Sequence, residues 1–570
     1  MEKPTVYVNA KVVTVDKKFS IAEAFAVQDG RFVKVGTNRR LREYARRTGA
    51  TVVDLEGRMV LPGFVDGHPH TILRGLWNTI EPSLVGLRSV AEIAATIAKE
   101  AAKVPPGQWI ATTPIGEPPD YFGLPEALTE HRWPTREDLD AAAPEHPVYI
   151  CTSAFWPHPA IFNSVALRLL GVDRNTPDEG MMHIARDDDG EATGLIYGLT
   201  IFTSSALNTR LQSLLPQMSP HTRRDAIEVA VRENLTFGVT TIYEAHSNFF
   251  IPELRQLHAE ARLANRVVSA YEFPNTRSID ELDAWMASRT DALGAGTGDD
   301  HFKVVGATLS VDSGGPAFGG LVMFEPYLDM YDQPCNGEPT VSTDQLVEIG
   351  HLAHKHHLRL NILAGGDRAC AMATEALAII NASTPIAGRG WILQHALYPT
   401  REQLGQLKDM GILAQTCSST DFTKGVRLYV NRLTGDRWQN VVPLRWWIDA
   451  GVPIAQSCDG AHPEPMFQIW ASLRRVDGET GRDMMTPSKK ITRAEAIQIH
   501  TINGAALVQW EDRLGSVEAG KLADFVALDH DILTCPIDEI RDTEVVLTAI
   551  GGTVVHDTRG ASTPPHWHTT

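Results

Sequence analysis

The chain has 570 residues, of which 43% are hydrophobic and 21% are charged, and 52 basic against 70 acidic side chains give a net charge of −18. These are ordinary values for a globular protein, and no segment approaches the roughly 18 to 20 apolar residues that cross a bilayer. We therefore expect no membrane association, and the acidic balance without a long basic block argues against nucleic acid as a partner.

The opening residues, MEKPTVYVNAKVVTVD, read as a polar strand and not as a secretory signal. The six cysteines lie far apart, with no spacing typical of a structural zinc site. We therefore expect a cytoplasmic protein with reduced thiols. The 21 histidines are of more interest, because imidazole is the commonest metal ligand in proteins.

In chain order, residues 1–61 contain short alternating strands with DG and EG turns, and residues 62–509 alternate helix-length stretches with short apolar runs. The second pattern is typical of βαβ units around a parallel sheet. Strands return at 510–560. Each terminal β piece is too small to bury a core alone, so we expect both to form one composite sheet domain. A Pro- and Trp-rich segment at about 107–182 predicts an insertion covering a site, and 561–570 predicts a frayed tail.

The clearest local pattern is LPGFVDGHPHT, in which an apolar strand from Met59 to Val65 is followed by His68 and His70. Residues i and i+2 of a strand point to the same side, so both imidazoles can reach one metal ion. In an α/β barrel, the carboxyl end of a strand lies on the catalytic face. In a chain with 21 histidines, the pair alone is weak evidence for a metal site. The sequence around it decides whether a metal site is predicted.

That context resembles the amidohydrolase superfamily, and within it the branch of N-substituted formamide deformylases. The run PGFVDGHPH resembles the strand-one metal motif of the family, with Gly67 where serine is common. Further matches follow in the order of the family along nearly the whole chain. They are REDLDAAAPEHPVYI (136–150), HPAIFNSVAL (158–167), DGEATGLIYG (189–198), FGVTTIYE (237–244), GGDRA (365–369), LQHA (393–396), DAGVPIAQSCDG (449–460) and GSVEAGKLADFVALD (515–529).

The resemblance implies a (β/α)₈ barrel of the TIM type, with a small β-sandwich formed by both chain ends, and a metal site at the strand ends. It assigns His68 and His70 to strand one, His395 to strand six and Asp459 to strand eight. A carboxylate at Asp459 could bind a cation and accept a proton from water. His395 could bind the metal, hold a substrate carbonyl, or be a core histidine.

Two positions depart from the family. Members with two metals use a carbamylated lysine on strand four and a histidine on strand five, and the alignment puts Thr308 and Leu363 at these positions. Neither side chain can replace those ligands. Lys303, five residues earlier and of opposite strand parity, is an alternative carbamate only if a bulge redirects it.

We therefore predict one divalent metal ion held by His68, His70 and Asp459, with His395 as an alternative fourth ligand. This donor set suits Zn²⁺, with Mn²⁺ or Fe²⁺ as alternatives. The predicted reaction is hydrolysis of an amide or other linear or cyclic C–N bond, other than a peptide bond, with Asp459 as general base. No Ser or Cys nucleophile is needed.

The substrate remains open. His158, His246, Leu363 and Thr308 are predicted to face it, and the apolar Leu363 favours a small, neutral, fairly apolar or aromatic molecule. Two other functions remain as alternatives: a non-hydrolytic mononuclear enzyme, such as a decarboxylase, isomerase or C–C lyase, and a catalytically silent binding protein. A homodimer is the default expectation for the assembly.

Overall fold

The structure is a computed structural model and describes residues 3–117, 125–151, 158–179, 182–199, 205–247, 250–274, 277–312, 320–329, 332–486 and 489–559. The predicted tail at 561–570 lies outside these residues. None of the helices in the described ranges combines the length and the apolar character that crossing a bilayer requires.

The centre of the protein is a parallel sheet of eight strands, rolled almost into a closed barrel. The strands follow one another in space as they do in the chain. They are β1 (Phe64–Asp66), β2 (Val239–Glu244), β3 (Arg266–Glu272), β4 (Phe302–Ser310), β5 (Leu360–Ala364), β6 (Ile392–His395), β7 (Leu413–Thr416) and β8 (Ile454–Gln456). The predicted α/β barrel is confirmed.

Helices connect successive strands and cover the outside of the barrel. Outward-facing strand residues such as Ile242 and Ile362 pack with helix residues such as Leu254 and Leu377 in one large apolar core. The helices that follow β1 to β8 and cover the barrel are Thr71–Trp77, Pro220–Thr236, Ile251–Ala259, Ile279–Ser288, Thr343–Lys355, Asp367–Ser383, Arg401–Asp409, Thr420–Lys424, Leu444–Ala450, Pro465–Arg474, Arg493–His500 and Ile502–Leu507. The described residues also include a π-helical turn at Gly425–Val430 and single 3₁₀ turns at Pro125–Ala127, Arg437–Asn440 and Ile537–Glu539.

The two chain ends share a sheet. Met59–Pro62, near the amino end, pairs with Phe525–Leu528. In spatial order this sheet contains Thr553–Asp557, Val545–Ile550, Phe525–Leu528, Met59–Pro62, Lys11–Val13 and Ile21–Ala22. A second sheet contains Arg31–Gly36, Ala24–Gln28, Thr5–Val8 and Thr51–Asp54, with the helix Asn38–Thr48. Aromatic rings from both sheets pack together, with Phe25 4.9 Å from Phe525. The domain boundaries at 61 and 510 stay predictions.

The long connection between β1 and β2 has a sheet of its own. Its five strands, in spatial order, are His183–Arg186, Ala192–Tyr197, Ala160–Phe162, Val148–Ile150 and Ile110–Thr112. The helices of this connection are Val90–Ala101, Arg136–Ala142, Ser164–Leu170 and Ala206–Leu214. The sequence showed few clear strands here because three of them are only three residues long, too short for an alternating pattern.

Strand β4 contains a bulge. Ser269 of β3 lies opposite Val304, but Tyr271, two residues on, lies opposite Ala307, three residues on. One extra residue is therefore accommodated on β4. Gly306 has a φ of 77°, in the left-handed region that suits glycine. The bulge redirects the side chains that follow it on β4.

We expect Gly306→Ala to destabilise the protein by about 2 kcal/mol or more, because the added Cβ would lie 2.4 Å from the carbonyl oxygen of Arg359 on top of the unfavourable φ. The matched control is Gly405→Ala, in the exposed part of a helix with no atom within 4 Å of the added Cβ, which should be neutral or stabilising by up to about 1 kcal/mol. Denaturant unfolding of both variants measures the difference, and equal midpoints would contradict the constraint.

Candidate metal centre

Four predicted site residues meet at the carboxyl end of the barrel. His68 and His70 follow β1, His395 ends β6, and Asp459 lies three residues after β8. Oδ1 of Asp459 lies 3.5 Å from Nε2 of His68 and 3.4 Å from Nε2 of His70. Its other oxygen, Oδ2, lies 3.6 Å from Nε2 of His395. The structure thus brings together residues that are almost 400 positions apart in the chain.

These distances fit a bound divalent ion. Ligand atoms placed tetrahedrally around zinc at its usual bond lengths are roughly 3.3 Å apart. The three separations are close to this value and longer than good hydrogen bonds. His68 is 2% exposed, and its Nδ1 has no hydrogen-bond partner within the described part of the chain. A buried cluster of imidazole and carboxylate donors with this spacing is suited to a cation.

The electrostatics favour neutral imidazoles beside an ionised carboxylate. Burial and the neighbouring His70 hold the pKa of His68 well below its usual value, and burial likewise lowers the pKa of His70. Burial opposes ionisation of Asp459, but His395 and His70 beside it outweigh burial, so the pKa of Asp459 falls below its usual value. Neutral imidazole and ionised carboxylate are the forms that bind metal.

The backbone at the strand ends turns these side chains toward one another. His70, His395 and Asp459 all have left-handed φ values, of 50°, 62° and 49°. Such values occur in only a few per cent of residues other than glycine, and asparagine, aspartate and histidine adopt them more often than other types. Their occurrence at three residues of one cluster is the pattern of a functional site, where local strain is maintained by the surrounding structure.

A carboxylate outside the cluster fixes its backbone. Asp66, the last residue of β1, accepts the N–H of His68 at 3.1 Å and the N–H of Cys458 at 3.3 Å. The N–H of Asp459 donates to the carbonyl of His68 at 3.0 Å. Asp66 therefore connects the ends of the first and last strands at the point where the cluster forms.

His246 joins this cluster, although the sequence suggested only that it faces the substrate. It follows β2 by two residues, and its ring centroid lies 4.9 Å from that of His68 and 5.5 Å from that of His70. Its Nδ1 is paired with the carboxylate of Glu272, the last residue of β3. Burial alone would lower the pKa of His246, but Glu272 outweighs burial and raises it. His246 lies just after an apolar strand, as Asp459 does. The sequence signal that identified Asp459 could therefore also have identified His246 as a member of the cluster.

Thr308 and Leu363 lie inside the barrel, below the cluster. The hydroxyl of Thr308 donates to the carbonyl of Ala245 at 2.7 Å and accepts from the Asn361 amide at 3.2 Å. Leu363 is 5% exposed and shares the inward face of β5 with Asn361. The two positions expected to carry second-metal ligands thus hold a hydroxyl engaged in hydrogen bonds and an apolar side chain.

The structure does not bring Lys303 to the cluster. A bulge does intervene at Gly306, and it places Lys303 and Thr308 on the same, inward face of β4. The Lys303 ammonium lies 6.0 Å from the ring centroid of Trp510, which packs with Val268. Along the strand, Lys303 is five residues before Thr308, a distance of roughly 15 Å. A carbamate at Lys303 is therefore too far toward the amino end of β4.

His158 is built into the sheet of the insertion. Its Nε2 accepts the N–H of Ile115 at 3.1 Å, its Nδ1 donates to the carbonyl of Pro159 at 2.8 Å, and Trp133 lies 4.6 Å from its ring. Both ring nitrogens are thus engaged by backbone groups. This arrangement supports a structural role for His158 in preference to the predicted contact with substrate.

We expect His158→Gln to change the pH dependence of stability. Burial lowers the pKa of His158 to about 4, so between that value and about 6.5 the unfolded chain binds a proton that the folded protein does not. The free energy of unfolding should therefore fall as the pH drops through this window, by up to about 1.4 kcal/mol per pH unit for one group. Urea unfolding at several pH values should show a shallower slope in the variant, with an unchanged KM. Identical slopes, or a raised KM, would favour the substrate role.

Comparison with known proteins agrees with the geometry. Residues 51–556 match the profile of the amidohydrolase family. This is most of the chain, which therefore belongs to the amidohydrolase family. The predicted class, a hydrolase of C–N bonds other than peptide bonds, is confirmed at the level of the family.

Similar proteins extend along the full length. The chain is 26% identical to N-substituted formamide deformylase of Arthrobacter pascens, covering 97% of this chain and 98% of that protein. It is 25% identical to the putative amidohydrolase YtcJ of Bacillus subtilis, covering 94% and 96%. An uncharacterized metal-dependent hydrolase from Pyrococcus horikoshii aligns with a TM-score of 0.71 at 20% identity, covering 94% and 99%. This structural likeness shows a shared fold.

Proposed function

We propose that the protein is a mononuclear metal-dependent hydrolase that cleaves an amide or related C–N bond of a small organic molecule. The proposal depends on one observation, the placement of Asp459 within 3.4 to 3.6 Å of three imidazole nitrogens. His68, His70 and Asp459 would hold the ion. The full-length similarity to a deformylase of N-substituted formamides supports amide chemistry.

Zn²⁺ is the ion that we propose, because two imidazoles and a carboxylate with room for water form a common catalytic zinc site. Bound there, zinc supplies a Lewis acid that acidifies water and polarises a carbonyl group. Mn²⁺ and Fe²⁺ accept the same donors and remain alternatives. The absence of a second site is supported by Thr308 and Leu363, which offer no ligand comparable to lysine carbamate or histidine.

Asp459 is placed to move the proton. Its Oδ1 lies toward His68 and His70, while its Oδ2 lies toward His395. One oxygen can therefore contact the ion while the other accepts a proton from the attacking water and passes it to the leaving nitrogen. His395, whose Nε2 lies toward Oδ2 of Asp459, would bind the ion as a fourth ligand or hold the substrate carbonyl. The nearby Cys458 donates its Sγ–H to the carbonyl of Pro69 at 3.3 Å, so it is no candidate nucleophile.

A non-hydrolytic reaction on the same residues is the second candidate, since Thr308 and Leu363 depart from the two-metal pattern. We favour hydrolysis because of the similarity to the deformylase. The substrate that we propose is neutral and fairly apolar or aromatic, as suggested by Leu363 at the barrel centre. Cytoplasmic location and a homodimer stay predictions.

We expect elemental analysis of the purified protein to give one zinc ion per chain. His68→Ala and Asp459→Asn should each reduce the metal content and lower kcat/KM for an N-substituted formamide by at least about 10³-fold, because each loses a ligand. The control is His258→Ala, since His258 is paired with Asp299 at the surface and should leave both quantities unchanged.

Hydrolysis in ¹⁸O-labelled water should place the label in the carboxylate product. Two metal ions per chain in the active protein would contradict the mononuclear site. Decarboxylation without label incorporation would instead support the non-hydrolytic candidate.

A further inference from the structure

The structure assigns an additional ligand to the proposed ion, namely His246 from the second barrel strand, with Glu272 as its positioning residue. The inference rests on the proposed metal site and deepens it. It gives His246 a role on the ion instead of the substrate, and it supplies a donor that the strand-five position, occupied by Leu363, cannot provide.

His246 lies close enough to His68 and His70 to share an ion with them. One ligand atom from each of His68, His70 and His246 lies within 4.8 Å of the other two. A second group of the same kind, His68, His395 and Asp459, shares His68. The ring of His246 stacks parallel to that of His70, with 6° between their planes. The two groups are also joined by Asp459, whose Oδ1 lies 3.5 Å from Nε2 of His68 and 3.4 Å from Nε2 of His70.

Glu272 orients the ring of His246. Nδ1 is paired with Glu272, so Nε2 is the nitrogen that would bind the ion. Histidine ligands in metalloproteins usually have this arrangement, with the other ring nitrogen bound to a carboxylate that fixes the tautomer and makes the imidazole a stronger donor. The side chain of His246 is 9% exposed and Glu272 is 33% exposed, so the pair lies at the edge of the barrel interior.

Hydrogen bonds fix the backbone on both sides of His246. The carbonyl of Ala245 accepts the hydroxyl of Thr308, and the N–H of Ser247 donates to the carbonyl of Ala270 on β3 at 3.1 Å. Thr308 also lies opposite Glu272 in the β3–β4 register. The residue at the position of the family lysine thus supports the loop that carries His246. Thr308 therefore links two features: it stands where the family has its ligand lysine, and it supports the loop that carries the proposed ligand His246.

An ordinary ion pair does not account for these features. The pairs His183–Asp178 and His258–Asp299 have similar nitrogen–oxygen contacts, but both lie at the surface, outside the two groups of metal-ligand atoms. His246 differs from both because its ring also contacts two further imidazoles, those of His68 and His70, with centroids 4.9 Å and 5.5 Å away, as ligands of a shared ion do.

The test is the dissociation constant of Zn²⁺, measured by competition with a chromophoric chelator on the full-length protein. We expect His246→Asn to weaken zinc binding by more than about 100-fold and Glu272→Ala by about 10- to 100-fold. Glu272→Gln should lie between wild type and Glu272→Ala, because its amide oxygen still accepts from Nδ1. His183→Asn, the matched surface control, should bind zinc as the wild type does.

X-ray absorption of the zinc-loaded protein provides a second readout that does not depend on activity. The number of imidazole ligands should fall by one in His246→Asn compared with wild type. An unchanged count together with wild-type affinity in His246→Asn and Glu272→Ala would overturn the inference while leaving the metal site intact. If His68→Ala also binds zinc as wild type does, the proposed function itself fails.

Discussion

The structure depends most on how the first and last barrel strands are joined. Gly67 donates its N–H to the carbonyl of Gln456 at 3.2 Å, and Asp459 donates to the carbonyl of His68 at 3.0 Å. Asp66 adds one more bond across the same gap, because it accepts the N–H of Cys458 at 3.3 Å. Because these bonds connect the backbone beside His68 to the backbone beside Asp459, closing the barrel and assembling the metal site are the same event. Gly67 is also tightly fitted, since an added Cβ would lie 2.9 Å from Leu507.

The resulting site is a buried cluster of imidazole and carboxylate groups. Polar atoms in protein interiors are normally paired, and an unpaired one is costly. Here Nδ1 of His68 is unpaired among the described residues, and Asp459 is ionised in contact with imidazoles that burial keeps neutral. A divalent cation would neutralise the carboxylate and accept lone pairs of the neutral imidazoles. Asp66 fixes the backbone beside His68 and Asp459, and Glu272 fixes the ring of His246. The arrangement of these side chains would therefore exist before an ion binds.

Sequence reasoning located the site where strand ends could be recognised. His68, His70 and Asp459 each follow a short apolar run, and parallel strands bring their carboxyl ends to one face. His246 follows such a run too, but its partner Glu272 belongs to the next strand, and only the folded register brings the two together. The direction of Lys303 depended on a bulge, for which Gly306 within an apolar strand was the available signal. The short strands of the insertion could not be read, because three residues do not establish a period.

The pairing of the chain ends affects how the protein is synthesised. Met59–Pro62 leaves the ribosome early, whereas its partner Phe525–Leu528 follows near the end of the chain. At usual translation rates the wait is roughly 25 to 90 seconds. Throughout this period one edge of Met59–Pro62 can pair with Lys11–Val13, but its other edge and the side of β1 that faces β8 lack their native neighbours. Unpaired strand edges favour association with other chains. Association with other chains is therefore a hazard of synthesis, and it ends when Phe525–Leu528 pairs with Met59–Pro62.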